Sequence, residues 1–559
     1  MRRFLVIILV CFMLFGLSSC ITINVNPGAT GNSDETTLSP ETTAVPDYTT
    51  SVPVLTSIPE TTTAPVGDSC GIVITTSDGS EVKPKDVNGV ATFTLDDGTF
   101  NVSGKNTAEV QLVCRGKAVA LNLDGVEIHN KLVTPINFIS LNGMLVARKD
   151  SVISYEHEYV STEIAAPCVG ASAACQLQVR GNAKLEISST FGPAIKGEKE
   201  VIIIEAKNLI LNSSVTDCIN CVGSIMISDS KILFDAGRYG FWAHDAEDVI
   251  KSNRDINITG SYIAGEFNAG GIAADCGVMI PDAYTIIDIK AKNTAISSVA
   301  VRANDMIEIM GGNFNLTADY GLLSTADGSI NIDYATVESA GKVIISGGTF
   351  EITAADSGIN CKNLAVNNGN ITFFGKGDGI NAETVEIYDG NMIINVGNHS
   401  IFADADVIVK GGEIKVQGSA GAAAPGNAKF TQVGGRVIIE SNSAGGLFGT
   451  TIVIDGGIYV SYCNKNISPS GDGYSVTFKN MQFNKNHPYR ILDMYNEKLI
   501  ELCPEYIDTT CCVVALPDFQ YNEVYDLTYR YEDGEAVVWK PLVEWMMNKN
   551  HIVMTPLSD

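Results

Sequence analysis

Hydrophobic and polar positions alternate in short bursts along most of the chain. From Thr349 to Ala354, Phe350, Ile352 and Ala354 fall on one side of an extended strand, and Thr349, Glu351 and Thr353 on the other. The bursts recur. Gly348, Gly369, Gly390 and Gly412 hold equivalent places about 21 residues apart, and Ile359, Ile380 and Ile401 repeat at the same interval. A period this short marks a solenoid, in which each unit buries its apolar face against its neighbours. Two or three short strands per unit of about 20 residues predict a parallel β-helix. Coils stacked about 4.8 Å apart would make some 15 turns a rod on the order of 70 Å. A propeller would need blades of about 40 residues, and a calcium β-roll would need glycine-rich nonapeptides that do not occur.

The pattern divides the chain into four parts. Residues 1–20 read as a leader: Arg2 and Arg3, an apolar run from Phe4 to Leu17, then Leu17-Ser18-Ser19-Cys20. That ending resembles the bacterial lipoprotein box, which implies lipidation at Cys20 and an outward-facing chain anchored to the membrane. Residues 21–68, rich in Thr and Pro with repeated Glu-Thr-Thr, cannot bury enough apolar surface to order themselves and predict an extended spacer. Residues 69–474 carry the periodic pattern, with a capped start up to about Gly125. Irregular spacings in the first half predict bulging loops, at Asn253-Arg254 and between Cys276 and Ala283. Residues 475–559 lose the period and predict an antiparallel C-terminal cap, with one helical turn within PLVEWMMNKNH.

Composition changes the picture in two places. A formal charge of −27 argues against nucleic acid and fits a soluble surface protein or one that loads cations onto carboxylates. Twelve cysteines follow Cys20, irregularly spread through the repeats. Cys361 stands where Ala382 and Ala403 stand in the next units, so buried free thiols are expected, a state that fits an exported chain in an anaerobic habitat. Cys218 and Cys221 form a lone CxxC pair, open to metal or redox use.

Candidate chemistry follows from the third strand of each unit. With Ile359, Ile380 and Ile401 inward, Asn360, Asn381 and Phe402 point outward, as do Lys362, Glu383 and Asp404 two residues on. Equivalent slots hold Trp242, His244, Asp275, Arg302, Phe448 and Thr450. Aromatic faces stack on sugar rings, and amides and charges bond hydroxyls and uronates. Trp242, His244, Arg302, Lys362, Glu383, Phe402 and Phe448 are therefore the carbohydrate-binding candidates. The alternative is a solvated face with scattered aromatics. Asp356, Asn360, Asp378, Asn381, Asp404 and Asp406 could supply calcium with oxygens, although Asp and Asn also cap tight turns.

The form Asp378-Gly379-Ile380-Asn381-Ala382, followed by a strand and by Val385 to Ile393, resembles the carbohydrate-binding β-helix lipoproteins of anaerobic bacteria. Their fold is similar to that of pectate lyases. Tyr489 to Glu535 matches their C-terminal cap, and the likeness spans about residues 70–535. It implies an all-β, right-handed, single-stranded parallel β-helix that binds calcium and acidic, pectin-like plant polysaccharide, or cellulose, without turnover. In the first half the motif decays to Tyr239-Gly240-Phe241-Trp242 and Gly271-Ile272-Ala273. Two other functions remain open. One is a calcium-dependent polysaccharide lyase with Arg302 or Lys362 as base; the other is a structural adhesin or spacer. The chain is expected to act as a monomer.

Overall fold

The computed structural model describes residues 70–157, 166–244, 255–292, 298–324, 341–418, 421–423, 429–441, 447–448, 451–463, 469–533 and 536–555. The leader, Cys20, the spacer, Asn253, Arg254 and Thr450 lie outside them. Strands and turns make up the described residues, with no helix among them.

Most strands pair in parallel with the strand one repeat later, in three ladders. The strand Thr349–Val366 takes part in all three. Its first part pairs with Asn370–Gly375, its middle with the start of Asp378–Ile387, and its end with both Lys342–Ile345 and the end of Asp378–Ile387. Asn363–Val366 thus belongs to what we call the first ladder, Thr349–Ala354 to the second and Ser357–Cys361 to the third. The expected register holds: Ile359 pairs with Ile380 and Ile380 with Ile401. These isoleucines are buried to 2% exposure or less, as are Phe350, Ile352, Val385 and Val407, because alternate side chains of every ladder meet in one continuous core.

Glycines make the corner before the second ladder. Gly348, Gly369, Gly390 and Gly412 all have positive φ, between 80° and 135°. Each carbonyl accepts the N–H that follows the next corner glycine, as in Asn391 N–H to Gly369 O at 2.8 Å. A Cβ at Gly390 would sit 2.6 Å from the oxygen of Gly369, in a conformation L-residues resist. Gly390→Val should therefore destabilise the protein by roughly 1–3 kcal/mol, read as a lower urea midpoint.

Small core slots hold thiols. Cys361 pairs with Ala382 and Cys221 with Ala243 in register, and both cysteines are buried. Cys70, Cys114, Cys168, Cys175, Cys218, Cys221, Cys276, Cys361 and Cys503 are free. Burial pushes the thiols of Cys221 and Cys361 up to about 12, and that of Cys218 higher still, so all three stay protonated in the core. The CxxC pair is packing.

Both ends of the ladders change to antiparallel pairing. At the start, Ile72–Thr76 pairs antiparallel with Gly98–Lys105. At the far end, Thr509–Ala515 lies antiparallel to Ile458–Cys463, and Ser475–Phe483 follows it. A separate antiparallel sheet is formed by Tyr489–Asp493, Lys498–Leu502, Val524–Asp533 and Ala536–Met546. Two expectations need correction. PLVEWMMNKNH begins as strand, not helix: Trp545 and Met547 are buried while Leu542, Glu544 and Met546 are exposed, a period of two. The stretch from Cys276 to Ala283 is no bulging loop, because Gly277–Ile280 is a rung of the first ladder between Ile256–Thr259 and Met306–Ile309.

One carboxylate ties the cap to the ladders. Glu440 is 2% exposed and accepts the backbone N–H groups of Glu505 and Tyr506 at 2.8–3.0 Å. Burial pushes its carboxyl above the ordinary 4.5, against the pull of those two N–H donors. Because the folded value is raised, its contribution to stability is fully present below 4.5. It is lost as pH rises from there through the raised value. Glu440→Gln should remove that loss. The stability difference, wild type minus variant, is then expected to fall as pH rises from 4.5 toward neutrality in denaturant titrations.

Candidate functional site

The third ladder sets one file of positions in direct register. It runs Val113, Asn137, Gly170, Lys196, Asn220, Trp242, Ala273, Arg302, Leu323, Asn360, Asn381, Phe402, Ala423 and Phe448. Trp242 and Arg302 stand two rungs apart, about 10 Å, with the small Ala273 between them. From Trp242 to Phe402 is six rungs, about 29 Å. A linear file of aromatic, cationic and amide side chains suits a linear polymer.

The densest part surrounds Trp242. The Arg238 guanidinium lies over two rings, 4.6 Å from the centre of Trp242 and 4.9 Å from that of Tyr239. Tyr239 and Trp242 stack at 5.4 Å and 29°. His244 stacks on Trp242 at 3.9 Å and 23°. Beneath them a polar chain runs inward. His244 Nε2 lies 3.0 Å from Asn220 Oδ1, and Asn220 Nδ2 donates to Asp217 Oδ2 at 2.8 Å. Asp217 also accepts the Tyr239 N–H at 3.1 Å and is 2% exposed. Burial raises its carboxyl pKa, while the nearby Arg238 charge pulls it down. A buried acid, a cation held over two rings and a half-exposed indole together offer an apolar stacking face beside a fixed positive charge.

The other predicted residues are distributed as follows. Lys362 and Glu383, on adjacent coils, form an ion pair at 3.6 Å. Phe402 is half-buried and tilts against His399 at 5.2 Å. Phe448 is in register with Ala423 at the far end of the file. Asn381 stands in the file yet is only 5% exposed, so it serves the coil more than the surface.

The calcium candidates mostly bond protein groups. Asp378 Oδ1 accepts the His399 N–H at 2.9 Å and contacts its ring nitrogen at 3.1 Å. Asp356 accepts the Tyr320 hydroxyl at 2.7 Å. Asp406 accepts the Lys429 N–H at 3.2 Å. Asp404 is exposed, its carboxyl raised by burial and by Glu383. No group of three His, Cys, Asp or Glu placed to hold a metal occurs among the described residues. Asp356, Asp378 and Asp406 thus tie neighbouring rungs together.

Arg238, Tyr239, Asn220 and Asp217 were not legible as site residues. The readable signal was Arg238-Tyr239-x-x-Trp242, a cation and two aromatics within five positions.

Three overlapping matches to the family described as carbohydrate-binding domain-containing protein cover residues 89–334, 248–373 and 325–474. The chain belongs to that family. The matches of this carbohydrate-binding domain-containing protein overlap as a repeat should, since a repeating pattern can be entered at more than one rung. They span the three ladders and stop before the cap. No curated protein and no solved structure matches the chain.

Proposed function

We propose that the protein is a lipid-anchored, non-catalytic glycan-binding protein of the cell surface. Its third-ladder face is read as holding an acidic, pectin-like polysaccharide. The observation that carries this is the Arg238–Trp242 stack over buried Asp217, in one file with Arg302. Stacking rings would take the apolar face of a sugar, and the guanidinium groups its carboxylate. Parallel strands joined by crossovers in one sheet are nearly always connected right-handed, which supports winding as a right-handed β-helix. The Leu17-Ser18-Ser19-Cys20 box and the Thr/Pro spacer support the anchored location.

Calcium enters as a bridging ion between surface carboxylates and uronates. Its support is the charge of −27, which would otherwise repel an acidic polymer. Against Lys362 as the base of a lyase stands its ion pair with Glu383.

The full-length chain should be retained on polygalacturonate, more strongly than on cellulose, with no growth of ultraviolet absorbance from unsaturated products. Retention should fall when calcium is chelated. Growing absorbance would overturn the non-catalytic reading, and no retention on either polymer would leave the adhesin or spacer role. Retention indifferent to chelation would remove calcium from the proposal.

A further inference from the structure

A second concavity lies on the first-ladder side of the early coils, away from the Trp242 file. Its volume is about 580 Å³, within the range of small-molecule sites. Its origin is a step in side-chain size. Thr99, Ala120, Met144, Gln178 and Ile202 occupy one file of directly paired positions. The file runs from small to large, so the early coils leave a trough that the later ones wall. Met144 and Ile202 supply apolar surface.

Three of the polar side chains around it bond protein groups. Asn142 Nδ2 donates to Lys117 O at 3.2 Å, and Gln176 donates to Glu200. Asp97 accepts the backbone N–H groups of Lys117 and Ala118. The Gln178 side-chain amide has no partner among the described residues. It offers one acceptor and two donors to whatever occupies the trough.

Lys117 and Asp97 line the trough together with opposite charges, and Asp97 is already bonded to backbone, so an apolar floor beside the Gln178 amide matches hydroxyls on a ring better than it matches a charged group. The geometry points to a second saccharide subsite, which takes uncharged hexopyranose residues. It rests on the glycan-binding reading of the family, but not on the acidic ligand proposed for the Trp242 file. Two subsites on different ladders let one molecule engage two glycan strands, or a charged and an uncharged stretch of one.

The test uses the full-length chain and calorimetric titration with cellohexaose, mannohexaose and galactohexaose, alongside polygalacturonate. Ala120→Trp fills the trough from an outward strand position, and Gln178→Ala removes its amide. At least one neutral hexasaccharide should bind. Ala120→Trp should weaken it at least about tenfold. Gln178→Ala should weaken it about fivefold, the worth of a neutral hydrogen bond. Ala120→Trp should leave polygalacturonate binding unchanged. Melting curves of the variants verify folding, and Thr99→Trp is the second filling variant should the first misfold. The inference is overturned if none of the three neutral sugars binds, or if both trough variants bind them as the wild type does. It is also overturned if Trp242→Ala abolishes their binding, since a single face would then serve all glycans. Loss of a dimer on sedimentation, with sugar binding intact, would instead make the trough an interface between copies.

Discussion

Phe350→Ala is expected to cost about 3–5 kcal/mol of stability, the usual penalty for emptying a buried aromatic site. Phe350 is 1% exposed and stacks on Phe314 of the preceding coil at 4.5 Å and 7°. In register it pairs with Phe314 on one side and Ile371 on the other. The void would therefore be shared by three paired strands, each of which bonds only the strands on either side of it in the ladder. Its backbone bonds to both sides would stay in place, so relaxation by backbone collapse is limited. Urea titration should show a lowered midpoint. Phe350→Leu should recover most of the loss, because it refills much of the volume. An unchanged midpoint in Phe350→Ala would mean that this stacked column does not hold the ladders together.

Trp242→Ala is expected to weaken acidic-glycan binding at least about tenfold, near 1.4 kcal/mol, without a comparable loss of stability. Trp242 is half-buried on the third-ladder file, and its inward neighbours Phe241 and Ala243 carry the core packing at 0% exposure. Removing the indole takes away the stacking face and one of the two rings beneath Arg238. The guanidinium would lose its fixed position as well. Arg238→Gln should reduce binding to polygalacturonate but spare any uncharged sugar on the same face. Equal losses for both ligands would assign Arg238 a structural role.

The repeat was legible because packing and backbone repeat together. Gly348, Gly369, Gly390 and Gly412 must turn the same corner, and Ile359, Ile380 and Ile401 must fill the same layer, so residue type and position recur. The file follows from the same alternation, which puts Trp242, Arg302, Asn360 and Phe402 on one line. Asp217 and Arg238 were hidden for a physical reason. Asp217 bonds the Tyr239 N–H of the next coil, and Arg238 precedes the strand Tyr239–Ala243 in the turn, so neither obeys the strand alternation. The carboxylates offered for calcium carried an ambiguity that sequence leaves open, since an Asp beside a turn serves a metal or a backbone N–H equally well. Asp378 and Asp406 bond N–H groups of the following coil. The helical turn within PLVEWMMNKNH failed because its apolar residues fit both periods, and cross-strand pairing with Val524–Asp533 decides for the strand. The trough was invisible in sequence: it depends on the difference in side-chain size between paired coils more than twenty residues apart.

The most direct measurement is equilibrium titration of polygalacturonate oligomers into the full-length chain and into Trp242→Ala, with ultraviolet absorbance followed in the same samples. The expected result is saturable binding by the wild type, at least about tenfold weaker binding by the variant, and flat absorbance in both. Equal affinity in the two proteins, or absorbance that rises with time, would contradict a non-catalytic glycan face built around Trp242.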